Sequence, residues 1–340
     1  MLDKNILDQV KGVFASLKSQ ITFAATSKKD DEKKGELQEF LNDIASTSEK
    51  LSVSFTEEEN AQLSFKLLKD NNETGITFRG IPNGHEFTSL LLAVLNTDGQ
   101  GKNFPDEAIQ RRIKSLKGEI TLKTYVSLTC TNCPDVVQAL NLMSLINPNI
   151  KHEMVDGGIY QQEVSDLNIQ GVPAVYCNNE SLHIGRGDLG ILLQELEDMV
   201  GSEALENEET IEREYDVIVV GGGPAGASAA IYSARKGLKV GLVAERIGGQ
   251  VNDTTGIQNL ISVPNTNGTQ LAADLKAHLS DYPIELFEHR KIASVSLKEK
   301  IKSIKVKGGE VFKAPAVIIA TGANWRRLNV GDEAKYIGHG

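Results

Sequence analysis

The chain has 340 residues, more than one hydrophobic core ordinarily serves, so two or three domains are expected. Hydrophobic residues make up 40% and charged residues 24%, the composition of a soluble globular protein. Lys and Arg number 36 against 46 Asp and Glu, a net charge of −10 that repels phosphate backbones and anionic lipid and argues against nucleic acid or membrane partners.

The 3 cysteines rule out a disulfide scaffold and suit a reducing cytosol. Asp3, Lys4, Asp8 and Lys11 interrupt the apolar residues of the first stretch and break any signal-peptide core. The longest apolar run, Leu90 to Leu95, is far too short to span a bilayer. A cytoplasmic location is expected.

In chain order, Leu2, Ile6, Leu7, Val10, Phe14 and Leu17 recur at helical spacing, so the chain opens with an amphipathic helix. KKDDEKKGE (28–36) is a solvated charge run, and Leu37, Phe40, Leu41 and Ile44 continue a second helical stripe. Leu51, Val53 and Phe55 alternate as a strand, and Ile76 with Phe78 suggests another. A helix over Glu86–Leu95 follows, making residues 1–118 a small α/β unit. Ile120, Leu122, Thr124, Val126 and Leu128 then mark a strand, which runs into Cys130-Thr-Asn-Cys133. Val136, Val137, Leu140, Met143, Leu145 and Ile146 give the helix behind it, with a strand at Ala174–Tyr176 and a helix at Leu189–Met199. Residues 119–200 thus repeat a strand–turn–helix order, which suggests internal duplication. GSEALENEETIER (201–213) has linker composition, and a third domain, 214–340, begins with the buried-strand run Tyr215–Val220.

The spacing of Cys130 and Cys133 admits three readings: a redox pair, half of a metal site, or two buried thiols. Cys177 and His183 are the nearest further ligands and show no zinc-like rhythm, so no metal site is expected. A thiol at a helix N-terminus gains thiolate character from the macrodipole and free N–H groups, and the thiolate is what attacks a disulfide. Cys133, on the first turn, can resolve the mixed disulfide, and Pro134 fits an early helical position. Pro173 lies 43 residues after Cys130; its X-Pro bond fits an ordinary turn, or the cis-proline that holds an incoming chain beside the thiols in thioredoxin-like folds. The strand–CxxC–helix…VPA combination favours redox. Cys177 reads as a small buried hydrophobe without a role.

YDVIVVGGGPAGASAAIYSARKG (215–237) follows a strand and opens a helix. Gly221 permits the tight turn, Gly223 lets backbone approach a pyrophosphate, and Gly226 allows helix to pack on strand. Glu245, 19 residues beyond Gly226, ends a second strand (Lys239–Ala244) and suits a ribose 2′-hydroxyl. The strand and turn Ala316–Gly322 favour FAD over NAD. His278, His289 and His339 read as surface or core histidines rather than catalytic bases.

On these residues the chain resembles the flavoprotein subunit of bacterial alkyl hydroperoxide reductase, through GHEFTSLLLAVLN (84–96), CTNCPDVVQALNLM (130–143), GVPAV (171–175), VVGGGPAGASAAIYSARKG (219–237), ERIGGQV (245–251) and IIATGANWR (318–326). Its third domain is also similar to low-molecular-weight thioredoxin reductases. The resemblance implies an α/β chain of two tandem thioredoxin-like folds followed by the first part of a Rossmann-like FAD-binding domain. It implies an NADH-dependent disulfide reductase that passes electrons through FAD and a dithiol to a peroxiredoxin, which destroys peroxides. Cys130 would attack the partner's disulfide and Cys133 resolve, beside Pro173. Glu86 would be a proton acceptor or pKa tuner near the thiols, although from the residues alone it is equally a helix-start acid. The flavin site would comprise Gly221, Gly222, Gly223, Pro224, Ala225 and Gly226, with Glu245, Gly249, Gln250, Asn259, Thr321 and Gly322. A homodimer is compatible with the family.

Two departures stand out. Thr131 replaces the histidine the family usually carries after the first cysteine, removing a cation beside the thiolate. Beyond Cys177 there is no cysteine, and the glycine fingerprint for NADH is absent, so a C-terminal truncation is expected. The alternative function is then a thiol–disulfide electron-carrier fragment that cannot oxidise NADH by itself; a flavin oxidase or monooxygenase would not need the thiol domains.

Overall fold

The computed structural model describes residues 2–203 and 210–323, and the chain divides into two units, Met1–Glu208 and Glu209–Gly340. Residues 204–209 of the expected linker, Asn324-Trp325-Arg326 of the last matching stretch, and His339 lie outside the described residues.

In the first unit, α1 (Lys4–Phe14) starts where the Asp3 carboxylate accepts from Asn5 N–H, and it buries Val10 and Phe14. There follow β1 (Ile21–Ser27), α2 (Lys34–Ala45), β2 (Leu51–Glu57), β3 (Ser64–Lys69) and β4 (Asn72–Arg79). A 3₁₀ turn at Gly84–Glu86 leads into α3 (Phe87–Asp98), and α4 (Glu107–Lys114) ends this half. The second half runs β5 (Ile120–Val126), α5 (Cys133–Ile146), β6 (Ile150–Asp156), α6 (Gln161–Asp166), β7 (Ala174–Cys177), β8 (Glu180–Ile184) and α7 (Leu189–Val200).

All eight strands form one sheet, ordered β2-β1-β3-β4-β6-β5-β7-β8. The halves share one plan: a parallel pair (β2 with β1, β6 with β5) extended by two antiparallel strands. Parallel pairing of β4 with β6, from Ile76↔His152 to Arg79↔Val155, welds them. The core crosses the weld, since Cys133 and Val137 of α5 share a cluster with Phe78 and Leu90. Arg79, 4% exposed there, pairs with Glu163 and Glu153 and lies 4.2 Å over the Tyr160 ring. A charge so deeply buried is tolerable because it is paired.

Four of these strands escape the sequence reading for physical reasons. β1 carries the small residues Ala25 and Ser27 among its buried positions, and β6 spends Lys151, His152 and Glu153 in the middle of a strand. His152 is buried because Thr124 and Asn141 accommodate its two ring nitrogens at 2.8 and 2.7 Å; burial lowers its pKa to about 3 and keeps it neutral.

The second unit contains β9 (Glu212–Glu214), β10 (Val217–Val220), α8 (Pro224–Ala234), β11 (Val240–Val243), α9 (Gly268–Ser280), β12 (Ile284–Phe287), β13 (Ile292–Ser296), β14 (Lys302–Val306), β15 (Val311–Ala314) and β16 (Ala316–Ile319). A parallel sheet, β12-β11-β10-β16, accompanies a second sheet, β13-β14-β15-β9. Every residue of β10 is buried, which is why it reads as an unbroken apolar run. The small residues Ala227, Ala230 and Ala234 bring α8 close onto β10 and β11. No helix among the described residues is long and apolar enough to cross a membrane.

Candidate functional site

The turn after β5 carries the thiol pair. Cys130 N–H donates to Ser127 O at 2.9 Å, which closes the turn and leaves Cys130 half-buried. α5 begins only at Cys133, so Cys130 precedes the helix by three residues instead of sitting on it, as the sequence suggested. Its sulfur nevertheless reaches the helix end, because it is joined to the buried Cys133 in a disulfide with Cα atoms 5.5 Å apart. Asn132 makes no side-chain cap and Pro134 lies in the first turn, so the N–H groups there stay free to stabilise a thiolate. Thr131 is exposed. Among the described residues no group of three or more His, Cys, Asp or Glu could hold a metal ion.

The Val172–Pro173 bond is cis, and Val172 O lies 3.8 Å from Cys130 Sγ. Pro173 is thus next to the thiols, with β7 starting immediately behind it. Cys177, at the far end of β7, is 1% exposed, and burial pushes its thiol pKa up.

Glu86 comes from the other half of the sheet. Its 3₁₀ turn is pinned to the thiol turn by His85 N–H donating to Leu128 O at 3.0 Å. Gly84 makes that approach possible: its φ is +56°, and a Cβ would stand 2.4 Å from Leu128 O. Glu86 is 0% exposed, and neither carboxylate oxygen has a hydrogen-bond partner. Burial pushes its pKa up to about 7, moderated by the nearby Ser89 hydroxyl and reinforced by the Asp135 carboxylate on the first turn of α5.

The turn after β10 forms a cavity of about 530 Å³. Gly221, Gly222, Gly223, Pro224 and Ala225 line one side of it, Glu245, Gly249 and Gln250 another, and Thr321 and Gly322 a third. Gly221 has φ +113°, and a Cβ there would lie 2.2 Å from Ala320 O, so the turn can close against β16 only with glycine. Gly226 does not line the cavity; its Cβ would meet Gly221 O at 1.8 Å, which makes it the packing glycine. Gly223 caps α8 without a side chain, and a Cβ there would find nothing nearer than Gly248 O at 4.0 Å. Asn259 is exposed in a loop and lies outside the cavity lining.

Sequence reasoning passed over two residues here. Arg290, 2% exposed, lines the cavity and pairs through Nε with Glu310 at 2.9 Å; no motif marks it. Asp156 ends β6 opposite Val126, 6% exposed, and burial holds its pKa up despite the hydrogen bond from Gly158 N–H. It was hidden by the mixed polarity of β6. His278 faces the Tyr282 ring at 5.7 Å.

A family model for pyridine nucleotide-disulphide oxidoreductases matches residues 215–340. The F subunit of alkyl hydroperoxide reductase from Staphylococcus aureus (strain MRSA252) is 42% identical over 340 residues, 100% of this chain and 65% of the relative. A protein named NADH dehydrogenase from Bacillus subtilis (strain 168) is 43% identical over 99% of this chain and 64% of its own length. The chain therefore spans about 65% of the length of these relatives. Among solved structures, the N-terminal N/C domain of alkylhydroperoxide reductase AhpF from Enterococcus faecalis (V583) is 32% identical, with TM-score 0.54, covering 58% of this chain and 100% of that one. A protein disulfide oxidoreductase from Aeropyrum pernix K1, 16% identical with TM-score 0.54, covers 59% of this chain and 95% of its own, and shares the fold.

Proposed function

The chain belongs to the family of alkyl hydroperoxide reductase flavoproteins, and from that premise we propose that it passes electrons from NADH, through FAD and the Cys130–Cys133 dithiol, to a cytoplasmic peroxiredoxin. The observation that carries the reading is the half-exposed Cys130, joined to Cys133 and flanked by the carbonyl of Val172 ahead of Pro173. Residues 1–118 and 119–200 would be the two thioredoxin-like folds, 201–213 the linker, and 214–340 the first part of the flavin domain.

The glycine turn fits a dinucleotide. Side chains are excluded at Gly221 by Ala320 O and at Gly222 by Arg246 O, while Gly223 leaves open space beside the uncapped start of α8. Gly221, Gly222, Gly223, Pro224 and Ala225 would hold the pyrophosphate and Glu245 a ribose, with Thr321 and Gly322 across the cavity. Bound there, FAD supplies two-electron chemistry between a nicotinamide and a disulfide.

In the dithiol state, the Cys130 thiolate attacks one sulfur of the partner's disulfide. A Cys130–partner S–S bond forms, and the partner's own S–S bond breaks to release a thiolate. Cys133, giving its proton to a base, then attacks Cys130 Sγ, which restores the intramolecular disulfide and releases the partner's second thiolate. Two electrons have passed to the partner, whose thiolates take up protons. Glu86, its carboxyl raised to about 7 by burial, is poised to take a proton near neutral pH.

Mixing the reduced chain with an oxidised peroxiredoxin tests this. Cys133→Ser should trap a Cys130-linked mixed disulfide visible by mass, and Cys130→Ser should show no transfer. Transfer that survives Cys130→Ser would sink the reading.

A further inference from the structure

We propose that His183 is a positioning residue for disulfide exchange: its imidazolium ties the loop after β8 to α7 and so holds Val172–Pro173 beside Cys130. The inference rests on the exchange function proposed for the thiol pair. His183 Nδ1 lies 3.0 Å from Glu195 Oε2 on α7, and Nε2 lies 3.0 Å from Gly185 O. A carboxylate and a carbonyl only accept. Both contacts are hydrogen bonds only when both ring nitrogens carry protons, and a neutral imidazole must give one up.

The anchored loop reaches the thiols in short steps. Gly185 N–H donates to Pro173 O at 2.8 Å, and the neighbouring Val172 O is 3.8 Å from Cys130 Sγ. The pairing Ala174↔Ile184 and Val175↔His183 fixes this loop against the start of β7. Gly187 packs on the ring so closely that a Cβ would stand 2.7 Å from Nε2, which leaves the imidazole little freedom to turn away.

The surroundings favour the charged form. Burial lowers the His183 pKa, but the hydrogen bond and charge of Glu195, with the carbonyls of Arg186 and Gly185, raise it above its usual 6.5. α7 presents Glu195, and the intervening loop carries Arg186 and Asp188. On α5, Asp135 feels Arg186 and Asp188 in opposite senses. β7 brings Tyr176 and Cys177 as its titratable residues, and β8 itself adds Glu180. Because the folded pKa is raised, the clamp is complete below the ordinary histidine range and loosens as pH rises through the folded value.

The test uses the full chain in its dithiol form, reducing either insulin, whose chain must lie along Val172–Pro173, or oxidised glutathione. Rates of wild type, His183→Gln and Glu195→Gln are compared across a pH series. Loss of a charge-assisted hydrogen bond should slow His183→Gln on insulin roughly tenfold at the acid end. Wild type and variant should converge at the alkaline end, where wild type loses the clamp too. Glu195→Gln, which keeps an acceptor but removes the charge, should shift the convergence to lower pH, and an NMR titration of the ring should show the same displacement. A slowing equal at every pH, or none at all, would overturn the clamp. Wild type inert towards both disulfides would instead remove the exchange function itself.

Discussion

The turn after β5 and the turn after β10 are built alike and used differently. Each leaves the end of an interior strand that has a parallel neighbour and enters a helix whose N-cap, Asn132 or Gly223, makes no side-chain hydrogen bond, with a proline in the first turn. Both therefore present free N–H groups and the positive end of a helix. At the first, two side chains occupy that end, and the sulfur chemistry is covalent. At the second, side chains are excluded by backbone oxygens 2.2 and 2.4 Å from where Cβ atoms would stand, so only backbone is offered. One local plan would thus suit a thiolate or a phosphate, according to whether the turn carries cysteine or glycine.

The largest perturbation should come from adding a side chain where the glycine turn has none to spare. Gly226→Val drives carbon into Gly221 O and is expected to cost more than about 3 kcal/mol. In calorimetry the transition of the second unit should fall or vanish while that of the first is kept. Gly223→Ala sharpens the contrast, since its Cβ has room: the melting temperature should hold while FAD affinity drops by about 1–3 kcal/mol, read by flavin titration.

At the thiol turn, Glu86→Gln should act through charge alone. The Glu86 carboxyl moves from its ordinary 4.5 to about 7 on folding, so the native state binds the extra proton between those values. Stability falls as pH rises through that window, by up to ~3 kcal/mol, and Glu86→Gln should remove this slope in denaturant titrations at a series of pH values. A slope that persists would place the proton elsewhere. The smallest effect is expected from Lys66→Ala: its partner Glu73 is 59% exposed, so the change in stability should stay within about 0.5 kcal/mol.

Much of this was legible in sequence because it is local. The run Val217–Val220 followed by glycines, and β5 followed by CxxC, each carry strand, turn and helix signals within a few residues. The helix start at Cys133 rather than Cys130 is a matter of cap geometry, which spacing does not encode. β6 was illegible because His152 is a polar residue made tolerable by partners on β5 and α5, and Asp156 by the turn that follows it.

By itself, the sequence determined the two turns, their cysteines and glycines, and the helices behind them, since propensity, periodicity and turn chemistry act over a handful of neighbours. The tertiary structure alone decided that Glu86 is sealed without a partner against the thiol turn, that His183 faces two acceptors, and that Asn259 stays outside the cavity. Desolvation and partnership depend on how separate elements pack together, and no local pattern records that.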